Sequence, residues 1–245
     1  MKHVLFAVST FAVVLIASAT ASAQDFQKSY PASAGTSVAI STMSGDIKIT
    51  THGGSDVVVT GRITGDDADK VRIEDRSAGG RIDVDVDYPK HGNTNASVDF
   101  DVQVPAGVRL RLDRIRTMSG DIEITGVSAT VEATTMSGNV RVMNTTGVVQ
   151  AKTMSGNVVV EIDALEGESD LSFVSMSGDV DIRLPSNAGA TVSIKTLSGN
   201  IENDFGLSVV TKKHGPGQSL DGTIGDGTRR LFAKSMSGDV RLRRQ

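Results

Sequence analysis

Apolar and polar residues alternate along most of this chain with the two-residue period of β-strands. Within residues 135–152, Val140 and Val142 fall on one face and Arg141 on the other. Thr145-Thr146-Gly147 reads as a turn, Val149, Ala151 and Thr153 then share a face, and Ser155-Gly156-Asn157 turns the chain again. Two strands and two turns in 18 residues make a coil that can close on itself and pair with the next coil about 4.8 Å away. No segment after residue 23 carries a helical period, so the pattern predicts an all-β chain.

The coil recurs. A phrase of consensus [ST]-[ML]-S-G-[DN]-[IV] begins at Thr42, Thr117, Thr135, Thr153, Ser175, Thr196 and Ser235, with spacings of 75, 18, 18, 22, 21 and 39 residues. Such self-similarity predicts a β-solenoid (β-helix) of stacked coils, with a less regular β-rich N-terminal part. The last spacing is close to two coils, and Leu220-Asp221-Gly222-Thr223-Ile224-Gly225 resembles a degenerate turn inside it. The expected organisation is a signal segment over 1–23, a β-rich part or cap over 24–116 and the repeats over 117–245, with 24–245 one continuous domain.

Ser-Gly-[DN] is the expected corner. Glycine accepts positive φ without a Cβ penalty, and Asp or Asn folds its side chain onto nearby backbone amides. Stacking places Gly45-Asp46, Gly120-Asp121, Gly138-Asn139, Gly156-Asn157, Gly178-Asp179, Gly199-Asn200 and Gly238-Asp239 in one turn ladder. Interposed Asn relieves carboxylate repulsion along it. A calcium column is the rival reading, although the chain lacks the two-glycine, nine-residue period of calcium-binding repeats.

Met43, Met118, Met136, Met154, Met176 and Met236, with Leu197, form a second column. It fits either corner packing, since methionine fills irregular gaps, or an exposed apolar stripe for partner contact. The Thr column runs in phase with the core.

Before Thr117 the chain still reads as strands at Asp56–Val59, Val71–Glu74, Arg81–Tyr88, Ser97–Val104 and Val108–Leu112. Two of these alternate apolar with acidic residues. Paired as a hairpin through 89–96, they would put Asp83, Asp85, Asp87, Asp99 and Asp101 on one outward face. Like charges across strands repel, so relief is expected from solvent, from Arg109 and Arg111, or from calcium. At the far end, Arg241, Arg243 and Arg244 read as charge guarding a terminal strand against edge-to-edge association.

Lys2 and His3, an apolar run from Val4 to Ala17 and Ala21-Ser22-Ala23 have the form of a secretory signal cleaved before Gln24. Export to the periplasm, cell surface or medium is therefore expected, with no later segment apolar enough to span a membrane. Without Lys2 the chain carries 24 Lys+Arg against 29 Asp+Glu, an acidic balance that argues against nucleic-acid partners. Cysteine is absent, which removes disulfides and a lipidated cysteine.

Catalytic chemistry is sparse. His52, His91 and His214 each sit beside Gly without metal-ligand spacing. Gly222 to Gly227, followed by Arg229 and Arg230, has the glycines of a phosphate loop but no strand–loop–helix context. Ser repeated at every corner argues for geometry rather than nucleophilicity. No cofactor is expected apart from the calcium alternative.

Val104-Pro-Ala-Gly-Val-Arg-Leu-Arg-Leu112, the repeated corner, and Asp221-Gly-Thr-Ile-Gly-Asp-Gly227 ahead of Leu231–Val240 look like the bacterial putative-adhesin family. The resemblance implies an exported β-strand-repeat domain and carries no catalytic residues. The resulting expectation is a non-enzymatic binding or structural module of the cell envelope, with a glycan or protein partner. The rival is a polysaccharide lyase or hydrolase using the Asp-rich strands.

Overall fold

The computed structural model describes residues 26–90, 94–167, 169–211 and 216–245. The predicted signal segment, His91 and His214 lie outside them. The described chain forms a 20-stranded sheet wound into a solenoid-like stack. In chain order the strands are β1 (Phe26–Pro31), β2 (Ser37–Ser41), β3 (Ile47–His52), β4 (Asp56–Thr64), β5 (Arg72–Asp75), β6 (Arg81–Asp87) and β7 (Ser97–Pro105). There follow β8 (Leu110–Ser119), β9 (Ile122–Thr125), β10 (Ser128–Ser137), β11 (Val140–Ser155), β12 (Val158–Ala164), β13 (Leu171–Ser177) and β14 (Val180–Leu184). The last are β15 (Ala190–Ser198), β16 (Ile201–Asn203), β17 (Val209–Thr211), β18 (Gln218–Ile224), β19 (Arg230–Ser237) and β20 (Val240–Arg244).

Two parallel ladders face each other across the core. One, before the corner, runs β6-β2-β8-β10-β11-β13-β19-β15. The other, after it, runs β7-β3-β9-β11-β12-β14-β20-β16. β11 belongs to both because it spans two coils. The bend predicted at Thr145–Gly147 falls inside it, where Asn144 adopts φ 51° and the pairing register shifts between Val142 and Thr145. A non-glycine residue with positive φ turns the chain there, and strand pairing continues on either side.

Alternation explains the core. Ile47, Ile122, Val140, Val158, Val180 and Val240 stack from one ladder, and Ile40, Ile115, Ala133, Ala151, Phe173, Ala233 and Ile194 from the other, all buried. One apolar cluster extends from Tyr30 to Leu242.

Stacking does not follow chain order. The last repeat, β19 and β20, lies between β13/β14 and β15/β16. At the other end, β6 and β7 form a coil outside β2 and β3, although they follow them in sequence. Both displaced outer coils carry antiparallel additions: β4 on β7 with β1 beyond it, β5 on β6, and β18 on β15 with β17 beyond it.

These pairings correct three expectations. The 39-residue gap holds the antiparallel pair β17–β18 rather than a degenerate coil, and Leu220–Ile224 is strand. β20 is flanked by β14 and, over Val240–Leu242, by β16, so it is not the terminal strand of the stack that Arg241, Arg243 and Arg244 were expected to guard. The acidic strands β6 and β7 are not a hairpin, because each extends a different ladder. Their apolar residues face the common core from opposite sides, which a hairpin in a single ladder would not allow.

Candidate functional site

The repeated corner and the columns beside it are the most regular surface feature of the molecule. Each residue of the phrase has one job. The first Thr or Ser is buried, and in six of the seven copies its hydroxyl donates to the carbonyl of a corner residue in the adjacent coil, while Thr42 donates to the Ser44 carbonyl of its own corner at 3.0 Å. Thr117 reaches Gly45 at 3.0 Å, Thr135 reaches Gly120 at 3.0 Å, and Thr153 reaches Gly138 at 2.9 Å. Ser175, Ser235 and Thr196 make the same bond to Gly156, Gly178 and Gly238 at 2.9, 2.9 and 3.0 Å. A buried hydroxyl needs such an acceptor, which explains why only Thr or Ser stands here.

Glycine is dictated twice. Gly138 has φ 139°, and a Cβ built on it would lie 2.1 Å from the Gly120 carbonyl oxygen. Neighbouring coils thus meet through bare backbone, and the amides of Gly45, Gly120, Gly138, Gly156, Gly178 and Gly238 each donate to a Ser carbonyl of the next coil, as Gly138 does to Ser155 at 2.9 Å.

The Asp or Asn side chain then accepts the backbone N–H of its counterpart one coil on. Asp46 Oδ1 takes the Asp121 amide at 2.7 Å, Asp121 that of Asn139 at 2.7 Å, and Asn139 that of Asn157 at 2.9 Å. Asn157 takes Asp179 at 2.8 Å, Asp179 takes Asp239 at 2.9 Å, and Asp239 takes Asn200 at 2.8 Å. Gly45, Gly120, Gly138, Gly156, Gly178, Gly199 and Gly238 lie beside them with positive φ throughout. The Asp239 amide and the Arg241 guanidinium hold the Asp179 carboxyl below the usual carboxylate range. Arg241 lies 3.0 Å from Asp179 and 2.9 Å from Asp239, which offsets half the charge of that adjacent pair.

Sequence reasoning missed an eighth member. Asp99 Oδ1 accepts the Asp46 amide at 2.9 Å, and the Val98 amide donates to the Ser44 carbonyl at 2.8 Å. The signal was present in Ser97-Val98-Asp99-Phe100, which keeps the Ser, Asp and apolar positions of the corner with Val in place of Gly. This is the outermost corner, so its glycine position meets no further coil.

The five carboxylates considered for calcium do not share a face. Asp83 pairs with Arg81 at 2.7 Å and Arg114 at 2.6 Å, and Asp85 pairs with Arg76 at 3.4 Å. Asp87 is exposed on β6, while Asp99 and Asp101 lie on β7 in the other ladder. Arg109 and Arg111, expected to balance them, instead contact Glu166 and Asp113 at 3.1 and 3.3 Å. Asp46, Asp99 and Asp101 line an open depression together with Lys48 and Arg62. Among the described residues no three acidic or histidine side chains are grouped to hold a metal ion.

His52 closes its own loop, with Nε2 2.7 Å from the Asp56 carbonyl. Arg229 donates to the Gly167 carbonyl at 2.7 Å and Arg230 pairs with Asp170 at 2.9 Å.

The methionine column faces solvent. Met43, Met118, Met136, Met154, Met176, Leu197 and Met236 are 36–49% exposed, because the buried Thr before each one fixes the alternation. Packing inside the corner, one of the two expected readings, is thereby excluded.

The chain belongs to the Toastrack DUF4097 family, whose model matches residues 31–243. No curated protein matches it. Among solved structures, a "putative cell adhesion protein" from Clostridium sporogenes ATCC 15579 is similar at 12% identity, with a TM-score of 0.45 over 91% of this chain and 100% of that one. A "putative adhesin" from Bacteroides fragilis NCTC 9343 gives 13% identity and a TM-score of 0.27 over 89% and 97% of the two chains. A "putative lipid binding protein" from Parabacteroides distasonis ATCC 8503 gives 9% identity and a TM-score of 0.23 over 90% and 96%. No helix among the described residues is long and apolar enough to cross a membrane.

Proposed function

We propose that this chain is an exported, non-enzymatic β-solenoid built of [ST]-[ML]-S-G-[DN]-[IV] coils, acting over residues 24–245 as one binding or structural module of the cell envelope. The observation that carries the reading is the closed economy of the corner. Its hydroxyls, carboxamides and carboxylates bond to the next coil, which leaves the repeats no convergent set for acid–base or nucleophilic work. What the molecule presents instead is side chains in register along flat faces, suited to many weak contacts with a polymer or a partner surface.

The polysaccharide-cleaving alternative, a lyase or hydrolase, needs a local cluster of carboxylates or basic groups on one face, which for a hydrolase means two carboxylates flanking one bond. Asp83 and Asp85 are held by arginines, and Asp99 is held by a backbone amide, which supports the non-enzymatic reading. A glycan-array screen of residues 24–245, run with calcium and with chelator, tests the proposal. Selective binding without turnover is expected, unchanged by chelator. Release of reducing ends from any bound polysaccharide would contradict it.

A further inference from the structure

The exposed Met column is not uniform in its surroundings, and the half from Met154 to Leu197 differs from the rest. Two residues before each Met or Leu, on the same outward face, lies a parallel column in which Lys152, Val174, Lys234 and Lys195 are consecutive Cα partners. Lys195 and Lys234 stand directly opposite each other on adjacent strands, and both are exposed. Neither they nor Lys152 form an ion pair among the described residues. Like charges placed opposite each other weaken a sheet, so the fold gains nothing from this pair.

Among the described residues, the carboxylates beyond the corner reach none of these lysines within ion-pair distance. Asn157 and Asn200 are neutral there, and Arg241 already bridges Asp179 and Asp239. On the same face Phe232 is 37% exposed, next to the Asp170–Arg230 pair. Leu197 and Met236 line a groove with Lys195 and Lys234. An apolar stripe of three to four coils, roughly 14 Å long, thus runs beside three lysines that form no ion pair among the described residues, with Asp221 of β18, opposite Ser193, as the neighbouring carboxylate on the outer side of Lys195, on a chain whose overall charge is negative.

We infer that this half-face, centred on Met176, Met236 and Leu197 with Lys152, Lys195 and Lys234, docks on an anionic lipid bilayer. The inference rests on the envelope-module reading. Charge complementarity selects the occupant: anionic headgroups match the lysines, and flexible thioether and isobutyl side chains enter the boundary between headgroup and acyl chain. A second copy laid face to face would set lysine against lysine. Strand addition is closed to this face, because β13 and β19 are interior strands paired on both sides.

The test is flotation of residues 24–245 with vesicles of phosphatidylglycerol and phosphatidylcholine, or of phosphatidylcholine alone. The chain is expected to float with the anionic vesicles only, and less at high salt. K152E/K195E/K234E lowers the partition roughly tenfold or more, since each lysine contributes separately near a charged surface. M176Q/M236Q/L197Q also lowers it. Both variants should keep the wild-type melting temperature, because all six positions are exposed. Failure of the wild type to float, variants that float like wild type, or capture by polyglutamate beads without vesicle binding would each overturn the inference. A positive glycan array beside negative flotation would leave the envelope-module reading standing and remove only this docking surface. Negative results in both would remove the two together.

Discussion

Asp99 Oδ1 accepts the Asp46 amide at 2.9 Å, which carries the corner ladder one coil past the first Ser-Gly repeat. From there to Asn200 every step is the same bond in the same direction, side-chain oxygen to the next backbone N–H. The ladder therefore ties each coil to its neighbour at a point where glycine has removed all side-chain packing. Stability at the corners is polar, while between them it is apolar.

Substituting Gly138 tests the close approach. Gly138→Ala must resolve a 2.1 Å contact with the Gly120 carbonyl and hold a side chain at φ 139°. A loss of about 2–4 kcal/mol is expected in urea unfolding. Gly53, with open space around it and ordinary φ, is the control and should tolerate Ala with little change.

Thr153→Val isolates the buried hydroxyl. Shape is kept, the methyl replaces Oγ1, and the Gly138 carbonyl loses its side-chain donor. The expected cost is about 1–2 kcal/mol, with Thr153→Ser close to wild type because Ser175 and Ser235 already serve in equivalent places. Equal stability of the Val and Ser variants would show that the hydroxyl does not matter.

Asn139 separates a run of carboxylates. Asn139→Asp adds a fourth in succession after Asp99, Asp46 and Asp121, and removes the amide donor 3.3 Å from Asp121. The variant should be less stable at pH 7 by about 0.5–1 kcal/mol. The difference should shrink as pH falls below the carboxylate range, since repulsion requires both groups ionised. A variant as stable as wild type at pH 7 would mean that the Asn positions are incidental.

Arg241 and Asp179 set an acid limb. The folded pKa of Asp179 is depressed, so its stabilisation is present above the unfolded value near 3.8 and is lost as pH falls through the lower folded value. Arg241→Met should lower Tm by about 2–4 °C at pH 7, given that a partly exposed pair is worth at most about 1 kcal/mol after screening. The gap should close in strong acid. Asp75 acts in the same direction: burial pulls its carboxyl up, but Lys28 and Ser77 hold it at about 2, so its share is lost between about pH 4 and pH 2.

Much of this was legible in the alternation and the phrase. Strand faces, corner residues and the stacked Asp and Asn followed from period-two patterning and turn chemistry. The burial of Thr also contained the answer for methionine, since adjacent strand residues face opposite ways. What could not be read was which coil pairs with which. Nearly identical repeats are interchangeable partners, so nothing local to Ser175 or Thr196 says that Ser235 lies between them. Nor did β6 and β7 reveal that they form a coil, because Val98 stands where every other corner has Gly.

The transposed stacking can be tested directly, because the chain has no cysteine. Adjacent parallel strands bring paired Cα atoms to about 4.8 Å, within disulfide range, whereas the next strand but one is about twice as far. Three double variants should be oxidised and compared: S177C/S237C, S237C/S198C and S177C/S198C. The first two pairs are strand partners here, and Ser177 and Ser198 are separated by Ser237. Cross-linking in the first two and none in the third is the predicted result. A cross-link between 177 and 198, with 237 free, would restore sequence order and contradict the fold described above.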